Sequence, residues 1–522
     1  MIMKNIKFYT ILLVLGSFMI SGCDDFLEED LRDRIATDNF YNNDKEAILA
    51  SNGLYRILVR GQGFYGNGGV HVRFYTYGAD EVGPSRNVNA VVHNYLFAEG
   101  VADERSHWSR MYEMVRNTSS VIENVENNEN LSEDVRNQVL GDALFLRALA
   151  YFHLTNMWGD VPYFRTLLPL DELGSLERFP MEDIRRDMKE DLERAIDLLP
   201  ASFSGGDLGR ATTWAAATLK AKYHLFDEEW LDARDACDYV INNSPHRLLD
   251  NYGDVFNQDD PTDQFNDEHI WAVGFVTDPV FGDGSQNTTS QFNPRLRDEP
   301  ANRNLRPGGP GTPSNVELLA EALQEIDQDM TGFGFNIPLP EIADQANWDP
   351  DDLRYEETIV DEYLGFELNF PYFRKMWNLN NSSPRANHND NYIVFRLADV
   401  YLMAAEAENE LNGPGNAYQY VNRVRERAFN PDKPWSGMSQ TEFREAMYDE
   451  RKFELSAEGH RRMDLIRWGI LLETVQNTAH RPWNNPGDNI QPHQVRLPIP
   501  QEEIILNPNL LNTDPTNNGY RQ

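Results

Sequence analysis

The sequence predicts a mainly α-helical protein, a helical-repeat scaffold on which long loops and short strands are packed. Three observations carry this. From Ser132 to Trp158 apolar residues recur at helical spacing, and from Ala143 onward the segment is apolar nearly all round, as in a deeply buried helix. Ala221, Ala233 and Pro245 lie twelve residues apart in GRATTWAAATLKAKYHLFDEEWLDARDACDYVINNSP, which fits the small-residue and terminal-proline positions of a tetratricopeptide helix pair. Ala405 and Ala417 repeat that twelve-residue spacing in a second pair.

In chain order, the first 22 residues read as a signal peptide. Lys4 and Lys7 precede an apolar run from Phe8 to Ile20 that is too short to span a bilayer. Ile20, Ser21 and Gly22 before Cys23 have the pattern of a lipobox, which directs lipid attachment to Cys23; the alternative is an ordinary secretory signal with an incidental cysteine. Residues 23–45 read as an acidic tether. No later stretch approaches the ~20 apolar residues a membrane helix needs, so the expected mature form is a soluble body on a lipid anchor. With Cys23 acylated, Cys237 has no disulfide partner, and its register makes it an inert core thiol.

The body divides into a helical part at 46–250, an irregular region at 251–390 and a second helical part at 391–522. The first helix falls near Lys45–Val59. Residues 60–100 follow as a long loop region in which glycines mix with Phe64, Tyr65, Phe74, Tyr75, Tyr77 and Tyr95; loops of that length are usually functional. A helix from His107 carries Trp108 as a core residue, and Ser132 caps the next, which Gly159 ends. Arg147 inside it needs a buried partner. Within 251–390 a helix is expected at Val316–Ile326 and a short strand at His269–Phe275. The acidic run Asp259–Glu268 lacks EF-hand spacing and reads as a solvated loop.

The chain is organised around DERKFELSAEGHRRMDLIRWG, residues 449–469. Phe443, Ala446, Met447, Phe453 and Ala457 form one helical stripe, and Glu450 falls inside it, where a carboxylate needs a partner. Glu450 and Glu454 as a general acid and base is one reading. The favoured one is a buried ion network of Glu450, Arg451, Glu454, Arg461 and Arg467, because abundant arginines keep both carboxylates ionised. Gly459 is the expected end of the helix.

This stretch closely resembles the C-terminal signature of the SusD (RagB/SusD) family. LRALAYFHLTNMWGDVPYF, the element DPDDLRYEET with Arg354, YIVFRLADVYLMAAEAENEL and the tail RLPIPQEEIILNPNLLNTDPTNNGY match further family blocks in the family's order. The resemblance implies about four tetratricopeptide-like helix pairs, a ligand site built by loops, and lipid anchoring at the cell outer membrane. It further implies capture of oligosaccharide, or in some branches peptide, for a SusC-like TonB-dependent outer-membrane barrel that the protein covers as a lid.

Composition agrees with a binding role. Aromatics make up 11% of the chain, and 84 acidic against 47 basic side chains give −37, which argues against nucleic-acid binding and against a basic membrane patch. Sugar rings stack on aromatic faces while their hydroxyls need Arg, Asn, Asp or Gln nearby. Arg73, Tyr75, Tyr77, Asn87 and Asn89 offer that mixture, with Trp348 a weaker addition, as are Phe64, Tyr65 and Phe281. No HExxH, GxSxG, CxxC, Walker or EF-hand pattern occurs, and the family resemblance implies binding without turnover, so neither cofactor nor metal nor enzymatic activity is expected. A helical glycosidase, needing two carboxylates about 5–9.5 Å apart across a cleft, is the weaker alternative.

Overall fold

The computed structural model describes residues 40–520 except 60–63, 67–70, 87–89, 98–101, 258–262, 277–284, 295–314, 327, 329–331, 379–387 and 482–483. Cys23, Asn87, Asn89 and Phe281 therefore lie outside the described residues. The long helices are α1 (Asp44–Val59), α2 (Ala102–Val125), α3 (Glu133–Trp158), α4 (Met181–Leu198), α5 (Thr213–Phe226), α6 (Trp230–Asn243), α7 (Leu397–Asn412), α8 (Pro414–Ala428) and α9 (Gln440–Leu455), followed by the short α10 (Arg461–Arg467). From α2 to α8 each helix packs on the next, and α9 closes against α7, so α2–α9 make four successive helix pairs. The whole irregular region, 244–396, is inserted between α6 and α7, which nevertheless pack directly on each other.

Small residues make that stacking possible. Ala221, Ala233, Cys237, Ala405 and Ala417 are fully buried at helix contacts, and burial pushes the Cys237 thiol well above its usual range. Every residue of α3 from Val139 to Trp158 is buried. Arg147 sits there on Asp191 at 2.7 Å, as a buried guanidinium must. Gly159 ends the helix with φ 77°. The Ser132 side chain makes no cap bond, whereas Ser439 and Glu442 form a reciprocal capping box at the start of α9.

Among the described residues, three two-stranded antiparallel sheets lie beside the helices: β1 (Val82–Pro84) with β3 (Asn336–Pro338), β2 (His269–Val273) with β6 (Tyr392–Arg396), and the hairpin β4 (Ile359–Tyr363) with β5 (Phe366–Phe373). The expected strand at His269 is thus present and two residues shorter. The expected long loop at 60–100 is not a surface excursion: its described part includes the short helices His71–Thr76 and Ala90–His93 and strand β1, and most of its side chains are buried.

The ion network is present, with different pairings from those the helix periodicity suggested. Glu450 pairs with Arg354 at 2.7 Å and with Arg425, not with Arg451 or the arginines beyond Gly459. Glu454 pairs with Arg354 (3.0 Å), Arg396 (2.7 Å) and Arg427 (2.6 Å). Arg451 turns to Asp399 and Asp464, Arg461 chelates Asp80, and Arg467 holds Glu406 and Asp464. Burial alone raises the Glu454 pKa, but the guanidiniums of Arg427, Arg396 and Arg354 overcome this and hold it well below the carboxylate range. A permanently ionised Glu454 cannot serve as a general acid. Helix α9 also ends at Leu455 rather than near Gly459: Ser456 is extended and Ala457 has φ 64°, which swings Glu458 onto Lys375 and Arg396.

Candidate functional site

The candidate site is an aromatic shelf on the continuation of β3. Phe333 and Phe335 lie just before β3 and flank Gly334, whose φ of 58° is left-handed, so the chain turns between them rather than running extended. Their rings lie parallel, 6° between planes and 5.6 Å between centroids. The Arg86 guanidinium sits 4.9 Å over the Phe335 ring and donates to the Phe333 carbonyl at 2.8 Å. All three side chains are half-buried.

Backbone on both sides holds this segment. The amide of Ser85 donates to the Phe335 carbonyl at 2.8 Å, continuing the β1–β3 ladder. On the other flank Phe333 donates to Ser290 (2.6 Å) and Gly334 to Asn293 (2.9 Å). In the interior nearby, the Tyr77 hydroxyl donates to Asn336 Oδ1, while Asn336 Nδ2 and the side-chain amide of Asn293 are closed off from the surface and have no hydrogen-bond partner among the described residues. A half-buried aromatic pair with a guanidinium beside it suits a ligand that presents C–H surface and hydroxyls together.

The sequence-based site residues divide. Arg73 is half-buried and close enough to Tyr77 to bias its hydroxyl, so these two fall beside the shelf. Tyr77 itself is buried, and Tyr75 and Trp348 are too, which removes all three as stacking platforms. The Tyr75 hydroxyl is hydrogen-bonded within the core to His153 Nδ1, while the Tyr65 hydroxyl meets His153 Nε2 at 3.0 Å. Phe64 is likewise buried. The Trp348 indole donates to the Ile342 carbonyl at 2.9 Å, and its ring packs 4.3 Å from Phe453. For Phe64, Tyr65, Tyr75 and Tyr77 the reason is shared: aromatic rings in and after a glycine-rich segment go where other elements leave room. Arg86, Phe333 and Phe335 had no local signal, because Gly334 at φ 58° breaks the strand period between the two rings and Arg86 reaches them from a distant segment.

Directly before β1, Glu81 is fully buried and neither carboxylate oxygen completes a hydrogen bond among the described residues; the Ala457 amide is the nearest donor. Burial, with Asp80 alongside, pushes Glu81 up to about 8. A carboxyl whose folded pKa is raised contributes stability below its unfolded value near 4.5 and loses it as pH rises through about 8. Glu81→Gln is therefore expected to narrow the fall in melting temperature between pH 5 and pH 9. An unchanged fall would mean that Glu81 is already paired.

Among the described residues, His224, Glu229 and Asp232 bring three possible metal-ligand atoms within 4.8 Å of one another. The Lys189 ammonium stands 2.6 Å from Glu229 and already balances that charge, so the cluster is explained without an ion.

The SusD family model matches residues 356–520, and a model described as starch-binding, associating with the outer membrane, matches residues 80–225. SusD-like protein P25 of Formosa agariphila is 42% identical, over 99% of this chain and 99% of its own. The chain belongs to the SusD family. Among solved structures, a SusD superfamily protein from Bacteroides vulgatus superposes with a TM-score of 0.74 at 22% identity, covering 90% of this chain and 98% of that one. A laminarin-binding SusD-like protein gives 0.70 at 24% identity, with the same coverage. These likenesses bear out the helical scaffold as the SusD fold. No helix among the described residues is long and apolar enough to cross a membrane.

Proposed function

We propose that this SusD-family protein is a surface lipoprotein that captures oligosaccharides at the Arg86–Phe333–Phe335 shelf and passes them, without chemical change, to a SusC-like TonB-dependent barrel that it covers as a lid. The observation that carries this reading is the shelf itself: two half-buried parallel rings with a guanidinium over one of them. The family's starch-binding description and the laminarin-binding relative support a glycan as the ligand class. Absence of turnover is supported by the ion pairing of Glu450 and Glu454, the one carboxylate pair proposed from sequence for acid–base work.

Isothermal titration calorimetry on the body from Asp24 onward, against neutral glycans, acidic glycans and peptides, tests the ligand class. Heat with glycans alone supports the proposal; heat with peptides alone replaces it by a peptide-binding member of the same uptake system. Co-purification with a barrel protein tests the partner. Cys23→Ser should move the protein from the membrane to the soluble fraction of cells; retention in the membrane would refute lipid anchoring at Cys23.

A further inference from the structure

A groove of 510 Å³ runs between α2, the turn after α3 at Pro162, and the short helices Leu170–Leu173 and Gln501–Leu506. Its floor is aromatic: the rings of Tyr112 and Phe164 lie nearly parallel, 6.2 Å apart, and Trp108 sits 4.8 Å from Tyr112. Its rim is aliphatic and faces water. Leu170 is 85% exposed and Leu506 70%, with Ile505 beside it at 69%. Large aliphatic side chains gathered in water around one aromatic groove mark a surface that something covers. The lining carries two charges. Glu503 is answered by Arg105 at 3.7 Å, whereas Arg116 is exposed and forms no ion pair among the described residues. The unanswered charge in the groove is therefore positive; the exposed Asp171 and Glu172 do not line it.

The place where the chain enters this body identifies an occupant. The Tyr41 carbonyl accepts from Asn128 Nδ2 at 2.9 Å, and Asp44 Oδ1 accepts from the Ser132 amide at 2.8 Å. Residues before Phe40 thus join the body at the C-terminal end of α2. The groove, from Arg116 to Trp108, lies about 14–26 Å back from Val125 along the same helix, at 1.5 Å per residue. The sixteen residues 24–39 span up to about 53 Å when extended, so they can pass its whole length. Within them Leu27, Leu31 and Ile35 recur every four residues, with Phe26 beside the first, which is the spacing of one helical face. Seven carboxylates, from Asp24 to Asp38, outnumber Arg32 and Arg34. An apolar stripe on an acidic segment matches an apolar groove whose unanswered charge is a guanidinium.

We infer that the acidic tether, residues 24–39, runs back along α2 and covers this groove with Leu27, Leu31 and Ile35. Docked so, it holds Cys23 beside the body instead of a full tether length away. The inference needs neither the shelf nor lipid attachment, so it stands or falls apart from the proposed function. The test uses the body from Asp24 onward with pairs of introduced cysteines: Asp30→Cys with Ser109→Cys, an exposed position lining the groove, or with Glu129→Cys, exposed beside the point where the tether joins the body. Cys237 is fully buried and takes no part. Disulfide closure in dilute solution is followed by mass spectrometry, and melting curves verify that each variant is folded. A tether with no docking place closes the shorter loop, to position 129, the faster. The expected result is closure at position 109 at least tenfold faster than at 129, with that advantage lost in Leu27→Asp/Leu31→Asp and reduced in Arg116→Glu. Closure at 129 as fast as at 109, or a rate at 109 indifferent to Leu27→Asp/Leu31→Asp, overturns the inference. Disulfide-linked dimers through position 109 overturn it too, and assign the groove to a second copy of the chain.

Discussion

Replacing Arg354 by methionine is expected to lower the unfolding free energy by about 3–5 kcal/mol, the cost of leaving buried charges uncompensated. Arg354 is fully buried and contacts three carboxylates: Asp352 at 2.8 Å, Glu450 at 2.7 Å and Glu454 at 3.0 Å. Glu454 retains Arg396 and Arg427, and Glu450 retains Arg425, but Asp352 has no other ion partner among the described residues. The change therefore removes a positive charge from an interior whose negative groups cannot reach water. Urea titration followed by circular dichroism checks the figure, and a loss below about 1 kcal/mol would mean that solvent reaches the network. Adding Asp352→Asn to Arg354→Met should recover part of the loss, because coupled charges do not contribute additively.

The second large effect concerns ligand capture. Phe333→Ala is expected to weaken glycan binding at least tenfold, about 1.4 kcal/mol or more, as loss of a central aromatic contact does. Its ring is half-buried and stacked only along the shelf, so the melting temperature should move little. Tyr75→Ala should do the reverse, since that ring is 4% exposed and its hydroxyl is tied to His153. Calorimetry and melting curves on the pair give a direct reading. If Tyr75→Ala abolishes affinity in a fully stable protein while Phe333→Ala leaves it intact, the site belongs at the original tyrosine cluster and not on the shelf.

Such a contrast follows from what kind of information each residue carries. Helices α3, α5, α6, α7 and α8 were legible because helical periodicity and small-residue spacing are local: each residue's face is set by neighbours three and four positions away. That Glu450 must be buried and paired was legible for the same reason. Which arginines pair with it was not, because Arg354 lies 96 residues away and arrives from the insertion between α6 and α7.

The loop residues show the same limit more sharply. Tyr75 meets a histidine 78 residues on, and Tyr77 meets an asparagine 259 residues on, so no local pattern says whether either ring faces solvent. The shelf itself exists only because Ser85 and Asn293 bracket residues 333–335 from opposite flanks. Composition and periodicity thus decided the fold class and the need for a buried ion network. Partner choice, ring exposure and the place of the ligand surface were decided by contacts between segments far apart in the chain, whose energies appear only once the chain has closed on itself.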